Sequence, residues 1–154
     1  MPMFKSILVL CEGNHCRSPI AEALFRESLP PGIRVESAGL RAMVGAHPHP
    51  EVLHLMAAVG INISGHRGRQ LTKSMGLAAD LILVMDQEQK EHCSRMVPGT
   101  RGRIFLMGHW LSSPPPAIAD PISKDKEAFR LAFEVIQQSV ASWLPHMTLN
   151  QRLA

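Results

Sequence analysis

The chain has 154 residues, the length of one compact domain with a buried core, so a single domain over residues 1–154 is expected. With 45% hydrophobic and 19% charged residues it is neither a disordered tail nor a coiled coil, and three cysteines, an odd number, do not make a disulfide framework. A net charge of +3 is too small and too scattered to argue for a nucleic-acid surface, and the absence of tyrosine with only 5% aromatics disfavours a stacking platform for single strands, so no nucleic-acid partner is expected.

The first element is Lys5–Leu10, a continuous apolar run with the pattern of a strand buried on both faces of a parallel sheet. It is too short for a signal peptide or a membrane span, so no membrane insertion is expected and the reducing cytoplasm is the expected compartment. Ser18 and Pro19 read as the N-cap and first-turn proline of a helix reaching Ser28. Pro30-Pro31-Gly32 punctuates, Ile33–Ser37 is a short second strand, and Pro50 opens a helix through Val59 that Gly60 closes. Asp80–Met85 repeats the buried-strand pattern, a polar helix covers Gln87–Arg95, and Arg103–Met107 is a fourth strand. A loop rich in Pro and Ser over residues 108–124 leads to an amphipathic helix over Lys126–Trp143.

Strands alternating with helices through right-handed crossovers predict an α/β fold: one doubly wound, four-stranded parallel sheet in flavodoxin-like order, with helices on both faces. Ligands of such sheets sit at the carboxyl ends of the strands. The segments that begin at Cys11, Ser37, Asp86 and Gly108 should therefore converge on one face. Asp80, at the beginning of its strand, should not.

The segment from Cys11 to Ser18 lies between a buried strand and the first turn of a helix. Backbone N–H groups of such a loop, with the positive helix end behind them, form a cradle for a tetrahedral dianion, and Gly13 and Asn14 tolerate the positive φ angles it needs. Arg17 adds a planar fork that binds two phosphate oxygens at once. The same field favours the thiolate of Cys11, which is then the nucleophile. In-line attack on phosphorus gives a cysteinyl-phosphate that water opens, with Ser18 hydrogen-bonded to the departing sulfur. No metal or other cofactor is expected, because Arg17 and the amides supply the positive charge.

Expelling an oxygen leaving group calls for a general acid. Asp80 is at the wrong strand end, Asp125 begins the last helix, and Asp86 can pair with Arg17. Asp120, on the long loop and followed by Pro121, is the remaining candidate, although an ordinary loop Asp before Pro reads equally well. His47, His49 and His54 have the look of a metal cluster, but Pro48 and Pro50 imply a solvated loop entering a helix.

Cys11-Glu12-Gly13-Asn14-His15-Cys16-Arg17-Ser18-Pro19, Glu36-Ser37-Ala38-Gly39, Gly65-His66 with Arg69-Gln70, Met85-Asp86 and Asp120-Pro121 together resemble the low-molecular-weight protein tyrosine phosphatases, in order and spacing. Glu36–Leu40 and Gly108-His109-Trp110 resemble the bacterial branch that dephosphorylates tyrosine autokinases of exopolysaccharide export. The resemblance implies Cys11 as nucleophile, Arg17 as phosphate clamp, Ser18 as stabiliser of the leaving thiolate and Asp120 as acid and base. It places Glu12, Gly13, Asn14, His15 and Cys16 in the phosphate-binding loop. It further implies that Asn14, Ser37 and His66 hold that loop, that Glu22 pairs with His66, and that Asp86 orients Arg17.

Where relatives carry an aromatic after the Asp-Pro pair this chain has Ile122, and the loop carries Glu12 and His15, so a more polar pocket rim is expected. A phosphoarginine-cleaving branch has Thr at the position of His15. Cys16 is expected to form a reversible disulfide with Cys11 under peroxide, and Cys93 to be a packing or surface thiol. Two other readings compete: an arsenate reductase on the same fold, with Cys93 as its distal relay, and a phosphoprotein-binding module that kept the cradle and lost turnover.

Overall fold

The computed structural model describes residues 4–147. The elements in order are β1 (Ser6–Cys11), α1 (Arg17–Ser28), β2 (Arg34–Gly39), α2 (Pro50–Ala58), α3 (Lys73–Ala78), β3 (Leu81–Val84), α4 (Gln87–Met96), β4 (Ile104–Leu106) and α5 (Lys126–Met147). The four strands form one parallel sheet in the order β2-β1-β3-β4, with β1 flanked by β2 and β3, so the expected doubly wound α/β fold is the one observed. Side chains alternate across the sheet with the strand period of two. Ile7, Val9, Leu81 and Leu83 face the core built with α1, α2 and α5, whereas Leu8, Leu10, Ile82 and Val84 face the one that contains Cys93 and Val97. Because both faces are covered, the strands read as unbroken apolar runs.

Element ends differ from the sequence expectations by a few residues. β2 runs to Gly39 because its pairing with β1 continues to the end, Cys11 against Gly39. α5 continues past Trp143 to Met147, with Pro145 inside its last turn. Asp125 stands just before α5 and accepts from the Ala128 N–H at 3.0 Å, as a helix-opening residue does. Asp80 lies at the amino end of the sheet, where it accepts from the Lys5 N–H at 2.9 Å. The short helix α3, opened by Thr72 accepting from the Met75 N–H, leaves no trace in the sequence pattern, since six residues carry too little periodicity to show.

One difference matters for the site. α1 starts at Arg17, not after Ser18, and the residue at its cap position, Cys16, makes no side-chain capping bond. Ser18 lies inside the first turn and its hydroxyl turns back toward β1. At the carboxyl end of β2, a Cβ on Gly39 would fall 2.8 Å from the Glu12 carbonyl oxygen and 2.8 Å from Ala42 Cα. Glycine there lets the chain leaving β2 run tightly beside the chain leaving β1. Among the described residues no helix is long and apolar enough to cross a membrane.

Candidate active site

The loop between β1 and α1 is held by its carbonyl groups. Cys11, Glu12 and Gly13 accept from the N–H groups of Leu40, Arg41 and Met43 at 3.0, 2.9 and 2.9 Å, which ties the loop to the chain leaving β2. The Asn14 carbonyl accepts from His66 Nε2 at 2.9 Å, that of His15 from the His49 N–H at 3.1 Å, and that of Cys16 from the Ile20 N–H at 3.4 Å. Within a trans peptide the N–H points away from its C=O. With the carbonyls of residues 11–16 turned outward, the N–H groups of residues 12–17 turn inward, in front of α1. Asn14, at φ 55, supplies the left-handed bend that closes the ring.

Asn14 is fully buried and its side chain is the hub of the loop. Its amide Nδ2 donates to Ser18 Oγ and to Ser37 Oγ, both at 2.9 Å, and its Oδ1 accepts from the Arg69 N–H at 3.0 Å. Cys11 Sγ lies 2.9 Å from Ser18 Oγ and 3.4 Å from the Ser18 N–H. Since Asn14 already donates to Ser18 Oγ, the Ser18 proton is free to point at the sulfur. Ser37 is oriented by the same logic: it accepts from Asn14 and donates to Glu22 Oε1.

Arg17 is 4% exposed. Its Nη1 donates to the Ile118 carbonyl at 2.7 Å, and its Nη2 lies 3.6 Å from Asp120 Oδ2. Asp120 is anchored on its other oxygen, where Oδ1 accepts from the Ile122 N–H at 3.0 Å. The loop after β4 thus comes back over the cradle and brings a carboxylate beside the guanidinium. On the rim, Glu12 pairs with Arg41 at 2.7 Å, and Gly13 lies against the Met43 side chain.

Cys11, Glu12, Gly13, Asn14, His15, Cys16, Arg17, Ser18, Ser37, His66 and Asp120 are all in this assembly. Two implied contacts are not made. Glu22 is bonded to Ser37 and, at 2.8 Å, to Arg26 one turn along α1, and not to His66, whose Nε2 is engaged with the loop carbonyl. Asp86 does not touch Arg17: it opens α4, accepting from the Gln89 N–H at 2.8 Å, and lines a cleft of about 360 Å³ beside Glu12 and Arg41. The guanidinium is oriented from the Ile118 side instead, a main-chain contact that no side-chain pattern in the sequence reveals. Among the described residues no group of three or more His, Cys, Asp and Glu could hold a metal. His49 caps α2, its Nδ1 accepting from the Glu51 N–H at 3.1 Å.

The three cysteines are free and buried. Burial, reinforced by the nearby Cys11 and Asp120 charges, pushes the Cys16 thiol up to about 12, and burial alone pushes Cys93 up to about 11. Cys93 lies inside the second core with no exposed surface, so a distal redox relay has no accessible thiol there and the arsenate reductase reading loses its partner.

A family model described as low molecular weight phosphotyrosine protein phosphatase matches residues 6–153. The chain belongs to this family. It is 46% identical over 145 residues to a probable low molecular weight protein-tyrosine-phosphatase, EpsP, of Ralstonia nicotianae, which covers 94% of this chain and 97% of the relative. The Escherichia coli K12 low molecular weight protein-tyrosine-phosphatase Wzb is 36% identical, covering 97% of this chain and 99% of its own. Among solved structures, the Erwinia amylovora tyrosine phosphatase AmsI superposes with a TM-score of 0.89 at 36% identity over 95% of both chains. The protein is a cysteine-dependent protein tyrosine phosphatase, and its substrates are phosphoproteins. This sets aside the reading as a binding module without turnover.

The raised thiols give a test of which sulfur reacts. Brief treatment with iodoacetamide at neutral pH, followed by peptide mass spectrometry, should label Cys11 and leave Cys16 and Cys93 unmodified, because protonated thiols are poor nucleophiles. Labelling of Cys16 or Cys93 at a rate equal to that of Cys11 contradicts the assignment.

Proposed function

We propose that this phosphatase hydrolyses phosphotyrosine through a cysteinyl-phosphate on Cys11, with Arg17 as clamp, Ser18 as stabiliser of the leaving sulfur and Asp120 as acid and base. The observation that carries the proposal is the outward bonding of the loop carbonyls from Cys11 to Cys16, which leaves inward amides around Cys11 Sγ with Arg17 beside them. Preorganised donors aimed at charge that develops on phosphoryl oxygens stabilise the transition state without reorganising.

The thiolate attacks phosphorus in line, so the S–P bond forms as the P–O bond to the tyrosine oxygen breaks. Asp120 gives its proton to that oxygen. A bound dianion competes with Asp120 for the Arg17 guanidinium, and this frees the carboxyl for proton transfer. Water then attacks the cysteinyl-phosphate, Asp120 takes its proton, and the sulfur departs toward the Ser18 hydroxyl. Asn14, Ser37, His66 and Glu22 keep these groups in register through the bonds described above.

The physiological substrate we infer is a bacterial tyrosine autokinase that controls exopolysaccharide export. Support comes from the Glu36–Leu40 and Gly108–Trp110 stretches and from similarity to EpsP, Wzb and AmsI. A site built on free thiols fits a reducing compartment such as the cytoplasm.

Replacing Cys11 by Ser should abolish turnover. Asp120→Ala should lower kcat on phosphotyrosine about a hundredfold but kcat on p-nitrophenyl phosphate far less, because the better leaving group needs less protonation. An equal loss on both substrates, measured by steady-state phosphate release, removes Asp120 from the general-acid role.

Peroxide would oxidise the Cys11 thiolate to a sulfenic acid. The Cys16 thiol then displaces water from it to close the disulfide. Activity lost to peroxide should return with dithiothreitol in the parent and return incompletely in Cys16→Ser. Equal recovery in both proteins excludes the disulfide.

A further inference from the structure

Two histidine-bearing segments meet at one lip of the cradle. His15 is on the loop itself, and His47 and His49 belong to the segment entering α2. The two segments are bonded twice: the His49 N–H donates to the His15 carbonyl at 3.1 Å, and His15 Nδ1 meets the His47 carbonyl at 2.8 Å. The rings of His15 and His49 meet edge-on with centroids 5.6 Å apart, and His49 rests on Phe129 of α5 at 4.5 Å.

These partners set the tautomers. A carbonyl only accepts, so His15 carries a proton on Nδ1, and its Nε2 makes no hydrogen bond within the described residues. His49 is the reverse, because its Nδ1 accepts from the Glu51 N–H. Burial and the neighbouring His15 hold His49 below the ordinary imidazole range, whereas His15 keeps an Nε2 with no partner among the described residues. An anion arriving beside Nε2 favours a proton there, and the ring then donates to it. The loop's own carboxylate is already engaged, since Glu12 is paired with Arg41 at 2.7 Å. Ile122 stands after Asp120-Pro121 and the chain has no tyrosine, so side-chain stacking from that position is not available to choose a substrate.

We propose that His15, braced by His47 and His49, selects phosphotyrosines that carry an anionic group, a carboxylate or a second phosphoryl, on a neighbouring residue. The proposal rests on the phosphotyrosine phosphatase reading of the same site and adds the feature of the substrate that the lip recognises.

Three matched phosphotyrosine peptides test it: one with alanine neighbours, one with acidic neighbours and one with a second phosphotyrosine, each compared with free phosphotyrosine. In the parent protein kcat/KM on an anionic peptide should exceed that on the alanine peptide by about fivefold, the most an exposed ion pair usually gives. Preference for the acidic peptide identifies a carboxylate as the ligand, and preference for the doubly phosphorylated one identifies a phosphoryl group. In His15→Ala the ratio should fall to about one whatever the absolute rates. His15→Asn keeps a donor for the His47 carbonyl without the charge, and its ratio should fall equally. A parent ratio of one, a ratio retained in both variants, or a ratio lost only in Arg41→Ala overturns the inference. Failure of the parent to release phosphate from free phosphotyrosine and from every peptide overturns the phosphatase reading, and the inference falls with it.

Discussion

The site depends on where six carbonyl groups point. A loop that is to bind a dianion with its amides must put its carbonyls somewhere else, and a buried carbonyl without a donor is costly. Here the donors come from the chain leaving β2, from His66, from the segment entering α2 and from α1 itself. The parallel pairing of β1 with β2, which runs to Cys11 and Gly39, brings the first three carbonyls beside Leu40, Arg41 and Met43. The sheet therefore does more than support the loop, because its register sets the direction of the amides.

A second consequence is the order of the side-chain bonds. Glu22 can only accept, so Ser37 donates to it and accepts from Asn14. The same Asn14 amide donates to Ser18, and the Ser18 proton is left for Cys11. The direction of each bond is thus fixed from a carboxylate on α1 to the Cys11 sulfur. Arg26 holds that carboxylate at 2.8 Å and also reaches the Val35 carbonyl of β2, so the chain begins in the packing of α1 on the sheet.

Much of this was legible in the sequence. Unbroken apolar runs report a sheet covered on both faces, and the strand-loop-helix context of Cys11, Gly13, Asn14 and Arg17 by itself points to an anion cradle. Topology also put Ser37 at the carboxyl end of the sheet, beside the loop, and Asp80 at the other end. What was not legible has physical reasons. A serine before a proline at a helix start has the same local pattern whether it caps the helix or reaches back to a sulfur, so the pattern alone points to a cap at Ser18. Asp86 follows a strand and precedes a polar helix, and capping α4 satisfies it locally. Glu22 finds Ser37 only through the position of β2 beside α1, and Ile118 acts through its main chain.

Titration of isotope-labelled protein with inorganic phosphate, followed by amide proton resonances, tests the central claim most directly. The account predicts that the N–H protons of residues 12–17 move downfield together, as hydrogen-bonded amides do, while those of α4 and the far end of α5 stay in place. If the Arg17 side chain responds and the amides of residues 12–17 do not, the cradle is not built from the main chain and the account is wrong.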